Sequence, residues 1–497
     1  MTISTFKTST RNLSGFLLLL GSLLLVACSD GNSSIPQSQD ASANSGGQTP
    51  SDNEDDVQQS VQRDQYPFGI ACGWEVASNT DLMNIAYPDE SAKYWVSMVP
   101  MIPGTRLRIN GRYAALRYFS FNVYDPMLRP SDAIADFEIT PDEGGENPFV
   151  KEGAGYGDTY TVYVEFTGKP ENPAPNTVYA GEFFVADAAL PQPLMTGLFY
   201  RSYAPNEGFD FDGGVGLPIL TLETADGEVE LLPTADCVEP LLPTLGNTLP
   251  ELGLNDVLGE VDFPDDPFLL ANGQTPLGLP DVQTHKFHGL PEFYFVFLAE
   301  LLGLPIGEQI NSIMPETGGG GFLSNIHNAY TYSIYYRSKG NVILFRAKAP
   351  TYRTQAGVPF ASEQLRYWSV CQNEVASQRY FACIRDDEAL LDDQGYFTVI
   401  ISDEADRPAN AVDGNDINWM PWGPYLDAGV IYRHMLPNEN YVESIHDVER
   451  GQNVDDVMGE YAPQAAYCTR EIVEAAGAKP ADIFAACREY TENLASP

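Results

Sequence analysis

Apolar positions in this chain fall in short runs of β-branched and aromatic residues separated by clusters of Gly, Pro, Asn and Asp, the punctuation of strands and turns. Arg106-Leu107-Arg108-Ile109 alternates and predicts a strand with one wet face; Val342-Ile343-Leu344-Phe345 is apolar throughout and predicts one covered on both sides. Residues 116–120, 160–164, 365–369 and 397–401 read as further strands. Two stretches differ. Residues 292–302, opened by Pro291 and closed by Gly303, carry helix punctuation and are apolar nearly all round, so a helix there is buried against protein or against a lipid or apolar ligand. After Asn440 the period turns helical, through 454–476 and 481–490.

The strand pattern occurs twice. Gly197-Leu198-Phe199-Tyr200-Arg201 runs on to Pro205-Asn206-Glu207, and Gly429-Val430-Ile431-Tyr432-Arg433 runs on to Pro437-Asn438-Glu439. Upstream, Leu116-Arg117-Tyr118-Phe119-Ser120 is echoed by Leu365-Arg366-Tyr367-Trp368-Ser369. The same order in both halves, with loops of different length between, points to two copies of one module. The expected fold is mainly β: two tandem antiparallel β-sandwich or jelly-roll modules, an inter-module linker helix and a short helical tail. The boundaries read as a signal peptide 1–27, a tether 28–64, module one 65–240, a Pro- and Leu-rich linker 241–325, module two 326–440 and a tail 441–497.

Residues 395–438, with Asn418-Trp419-Met420-Pro421 ahead of Val430-Ile431-Tyr432-Arg433, resemble the carboxyl-terminal β-domain of a bacterial family of unknown function. The first copy keeps the later strand and Gly213-Gly214-Val215-Gly216-Leu217-Pro218, but lacks the Asn-Trp step. The whole chain also looks like exported bacterial proteins with two such modules. The resemblance implies the fold and carries no activity.

Composition narrows the class. With 27 Tyr and 25 Phe the chain is too apolar to be mostly disordered, and 43 Gly with 37 Pro disfavour a helix-rich fold. Twenty-seven Lys and Arg against 69 Asp and Glu give a net charge of -42, which repels nucleic acid and anionic membrane surfaces. Lys7 and Arg11 precede an apolar run at 15–27, shorter than the ~20 residues that span a bilayer, so it reads as a signal peptide. Leu25-Val26-Ala27-Cys28 resembles a bacterial lipobox, which implies a lipidated Cys28, and Ser29 after it favours the outer membrane. Export to the cell envelope suits the other cysteines. An even set in an oxidising compartment suggests Cys371–Cys383 across a turn, Cys468–Cys487 around a helical hairpin, and Cys72–Cys237 clasping module one.

Chemistry is sparse. G-x-S-x-G, H-E-x-x-H and a P-loop are all missing, and there are five His. His285 and His288 stand three apart but lack an evident third ligand. Asn206, Glu207, Asp210 and Asp212 offer alternating oxygens that suit either turn chemistry or calcium, the one cofactor considered. The run Gly318-Gly319-Gly320-Gly321 reads as a hinge. Arg201 and Arg433 are each expected to pair with an acid of their own copy, Glu207 and Glu439, or to form a carboxylate-binding fork. Trp419 and Trp422 are read as core or as a stacking surface for an envelope glycan or apolar ligand. A non-catalytic binding or envelope-assembly lipoprotein, with a glycan, apolar ligand or protein as partner, is the leading reading. Its rival is a hydrolase of an ester or polymer, working between the modules with Asp or Glu and His434.

Overall fold

Ten short strands build the first sandwich: β1 (Val76–Ser78), β2 (Ala92–Pro100), β3 (Arg106–Arg112), β4 (Leu116–Tyr124), β5 (Pro130–Ala135), β6 (Thr159–Glu165), β7 (Thr177–Tyr179), β8 (Met195–Pro205), β9 (Ile219–Thr224) and β10 (Gly227–Glu230). They form two five-stranded sheets, ordered β1-β2-β8-β4-β5 and β10-β9-β3-β6-β7. Pairing is antiparallel except where β7 runs parallel to β6. The alternation of β3 works as its sequence predicts. Leu107 and Ile109 enter the core with Phe119, Phe121, Val162 and Tyr200, while Arg106 and Arg108 reach Glu223 on β9 at 2.6 and 2.9 Å.

The computed structural model describes residues 73–495 apart from 75, 83, 85, 103, 126–128, 182–194, 232–283, 290–322, 354–360, 375–377 and 424–426. Cys28 with the expected signal peptide and tether, Cys72, Cys237, the apolar stretch 292–302 and the glycine run 318–321 lie outside the described residues. Among the described residues, no helix is long and apolar enough to cross a membrane.

The second sandwich repeats the first with β11 (His285–Lys286), β12 (Asn328–Tyr336), β13 (Val342–Lys348), β14 (Leu365–Asn373), β15 (Tyr380–Arg385), β16 (Tyr396–Ser402), β17 (Asn418–Pro421), β18 (Asp427–Pro437) and β19 (Gln464–Cys468). Its sheets run β11-β12-β18-β14-β15 and β17-β16-β13-β19, strand for strand the order of module one, with no counterpart to β10 among the described residues. Small irregularities repeat too. Each sandwich has a register shift near the end of its β4–β5 or β14–β15 ladder. Ala204 and Leu436 share a left-handed backbone (φ 44° and 46°), and their N–H groups bond the carbonyls of Ser91 and His327 at 2.9 and 3.0 Å. A left-handed alanine or leucine is costly, so its recurrence at matching places supports duplication more firmly than side-chain identity.

The tail departs from the sequence reading. The stretch expected to be helical through 454–476 divides into α1 (Val454–Met458), strand β19 and α2 (Arg470–Ala475), followed by α3 (Pro480–Ala495). Gly459, at φ 55°, and Pro463 interrupt the helical course. Beyond them Ala465 and Tyr467 turn into the sandwich core, while Ala466 and Cys468 face Val473, Ile483 and Cys487 of the two helices. β19 pairs with β13 where β9 pairs with β3. The supposed appendage therefore completes module two, and its helices cover the outer face of β13, which explains why that strand is apolar on both sides. Cys468–Cys487 fastens β19 to α3 with Cα atoms 5.0 Å apart, and Cys371–Cys383 joins directly opposed residues of β14 and β15 at 4.0 Å.

Candidate functional site

β4, β8, β14 and β18 lie at the middle of two sheets that face each other across the modules, so alternate residues of each enter their own core or the seam. On β8 Tyr200 belongs to the core, and Arg201 and Tyr203 to the seam; on β18 Tyr432 belongs to the core, and Arg433 and Met435 to the seam. Seam residues are as buried as core ones, and β4 and β14 are buried along their whole length.

The repeated Leu-Arg-Tyr step supplies the clamp. Arg117 of module one grips Asp386 and Asp387 of module two, with Nη2 2.9 Å from Asp387 Oδ2. Reciprocally, Arg366 Nη2 of module two lies 2.7 Å from Asp136 Oδ1 of module one. Each aspartate is also tied to its own sheet, Asp136 accepting from Phe119 N (2.8 Å) and Asp386 from Trp368 N (3.0 Å). Burial pushes both carboxyls up, Asp386 to about 7, against the pull of the arginines. A buried pair of this kind adds little net stability over an apolar isostere, but losing one partner leaves an uncompensated charge and costs ~3–5 kcal/mol. Four such groups therefore fix how the modules meet. Behind Arg366 lies Arg353, 1% exposed, whose three guanidinium nitrogens have no hydrogen-bond partner among the described residues. Burial and the cation of Arg366 pull it down to about 9.

Arg201 and Arg433 do not pair within their own copies. Glu207 and Glu439 lie in solvent beyond the ends of β8 and β18, whereas the strand period turns both arginines into the seam. Arg433 donates to the carbonyl of Tyr87 at 2.6 Å and lies 3.8 Å from Asp89, both in module one. Arg201 donates to the carbonyl of Leu323, in the segment leading into module two, and to Tyr124 Oη at 2.6 Å. Tyr87 and Leu323 are matching residues in matching left-handed backbones (φ 53° and 50°). The symmetry fails two residues later, where module one has Asp89 and module two has Asn325. Asp89 accepts from the Tyr367 hydroxyl at 3.0 Å and from Ser369 Oγ at 2.6 Å; Asn325 Nδ2 donates to Tyr118 Oη at 3.1 Å. Among the described residues no carboxylate forms an ion pair with Arg201, whose guanidinium instead lies 4.4 Å from the Tyr94 ring.

Other candidates are dispersed. Trp419 and Trp422 fall on opposite faces of their sheet and make no joint platform: Trp422 is in the sandwich core, and Trp419 packs under Arg407 (4.4 Å) with Nε1 donating to Ser402 Oγ (3.1 Å). His434 is fully buried, Nδ1 accepting from Ile445 N at 3.2 Å, and burial holds it well below the usual imidazole range. Asp210 and Asp212 bend back onto Phe211 N and Gly214 N at 2.7 and 2.9 Å, Asn206 bonds Tyr156 Oη, and Glu207 is exposed. This turn closes on Gly213 (φ 58°), where a Cβ would lie 2.5 Å from Ala115 N, so only glycine fits. His285 stands over Tyr332 at 5.5 Å, while Lys286 and His288 line a cavity beside β12. Sequence reading passed over Arg117, Arg366, Asp89, Asp136 and Asp386. The signal for the first two was on hand in the repeated Leu-Arg-Tyr, read only as a strand.

No family model matches the chain, and no curated protein does. Among solved structures it is similar to an uncharacterized protein from Burkholderia cenocepacia, at TM-score 0.43 and 11% identity over 93% of this chain and 96% of that one. It is also similar to a protein from Vibrio parahaemolyticus, at TM-score 0.34 and 12% identity over 84% of this chain and 96% of that one.

Proposed function

We propose that this chain is an exported, outer-membrane-anchored lipoprotein that acts as a non-catalytic binding module, its two sandwiches held as one rigid body. The observation that supports this is the reciprocal clamp of Arg117 with Asp386 and Arg366 with Asp136. The arginines repeated between copies, Arg117 with Arg366 and Arg201 with Arg433, are committed to the seam, and a preorganised body presents a binding surface at little ordering cost. The lipobox at Cys28 supplies the anchor. The test has two arms. Intact mass of the mature protein from envelope fractions should show acylation at Cys28, and Cys28→Ser should release the chain or stall its processing; an unmodified N-terminus elsewhere overturns the anchor. Purified mature protein should leave p-nitrophenyl esters unhydrolysed. Turnover that disappears in His434→Ala, with folding intact, would establish the hydrolase instead.

A further inference from the structure

The cavity beside β12 has a volume of about 250 Å³, and Lys286, His288, Asn325, Asn328, Tyr330 and His446 are among its walls. In a chain of net charge -42 the lining gathers an ammonium and two imidazoles; burial pulls His288 down to about 4 and lowers His446 as well, so Lys286 is the cation it offers. Lys286 Nζ donates to the carbonyls of Val448 (2.5 Å) and His446 (3.2 Å), and among the described residues its third proton has no acceptor. Asp447 and Glu449 bear on Lys286, Arg450 on His288, and Glu138 lies 3.8 Å from His327 behind Asn325. Asp447 is already engaged by Ser444 in a capping box.

The second observation is the broken symmetry of the seam. Where module one places Asp89 against Arg433, module two places Asn325, a wall of this cavity whose amide bonds Tyr118 Oη and accepts from His327 N; among the described residues Arg201 has no carboxylate and its Nε has no hydrogen-bond partner. A buried guanidinium without an anion is costly, and the residue that stands in the place of Asp89, Asn325, is a wall of the cavity. We infer that the cavity binds a small organic carboxylate, seated between Lys286 and Asn325, with Tyr330 and Phe287 against its apolar part. The ligand supplies the negative charge that module one carries covalently as Asp89. This rests on the reading of the chain as a binding protein; anchoring and catalysis are tested separately, so failure here leaves those results standing.

The test is calorimetric titration and thermal melting of the full mature chain with sodium benzoate, its neutral isostere benzamide and inorganic phosphate. Benzoate should bind and raise the melting temperature, with benzamide and phosphate at least tenfold weaker. Lys286→Met should weaken benzoate at least tenfold. Asn325→Asp, which restores the acid inside the protein, should abolish benzoate binding while its own melting temperature holds or rises. No benzoate binding, equal binding of benzamide, stronger binding of phosphate, or benzoate affinity unchanged in Lys286→Met would each overturn the inference. If Asn325→Asp fails to fold, the position does not accept a carboxylate and the inference falls as well.

Discussion

At the scale of single residues the seam is built from arginines, and they are not alike. Arg117 and Arg366 hold carboxylates, Arg433 has one nearby, Arg201 rests on aromatic rings and carbonyls, and Arg353 makes no hydrogen bond among the described residues. A cation kept from water with no hydrogen bond among the described residues opposes folding, and burial together with its neighbour Arg366 outweighs the attraction of Asp136 and Glu363. Arg353→Met, which keeps the volume and removes the charge, should therefore stabilise the protein by on the order of 1–4 kcal/mol. Urea melts of the two proteins at pH 7 measure this, and a loss of stability would mean that the guanidinium is satisfied after all. These differences were only partly legible beforehand. Repetition marked Arg201 and Arg433 as matched, and so they are, but sequence proximity suggested Glu207 and Glu439 as partners. The actual neighbours, Tyr87, Asp89 and Leu323, are far away along the chain. Nothing local announces a contact that exists only after two sheets have come together.

At the scale of elements the strands of the repeat and the helices of the tail were readable, and the strand between those helices was not. Alternation at β3 and double-sided apolarity at β13 translate directly into one wet face and two covered faces. β19 escaped because Gln464-Ala465-Ala466-Tyr467-Cys468 has middling propensity for either structure, and pairing with β13 decides it. The same element explains what its disulfide is for. α3 lies against β19, and Cys487 ties its middle to the strand. Removing the bond with Cys468→Ser and Cys487→Ser should cost about 3 kcal/mol, the loop entropy for a closure of this size. Amide exchange should then quicken in α3 and β19 more than in β3. Uniform acceleration everywhere would indicate instead that the bond stabilises the whole sandwich.

At the scale of the whole molecule two sandwiches share what amounts to a third core. Tyr118, Tyr203, Tyr367 and Met435 pack there with exposures no greater than those inside either module. Linked domains commonly unfold in separate steps. Here a single cooperative transition is expected from calorimetry, and Arg366→Ala, by stranding Asp136, should lower stability by ~3–5 kcal/mol and broaden or split that transition. Two resolved transitions in the unaltered protein would show the seam to be weaker than its burial implies. The mismatch of Asp89 and Asn325 bears on heredity. If two identical subunits met across such a seam, each would be a product of the same gene, and any substitution would strike both halves at once, leaving either two aspartates or two asparagines. Fusing the halves into one polypeptide gives each position its own codon. Only then can one side stay a sealed joint while the other is free to drift toward a new use.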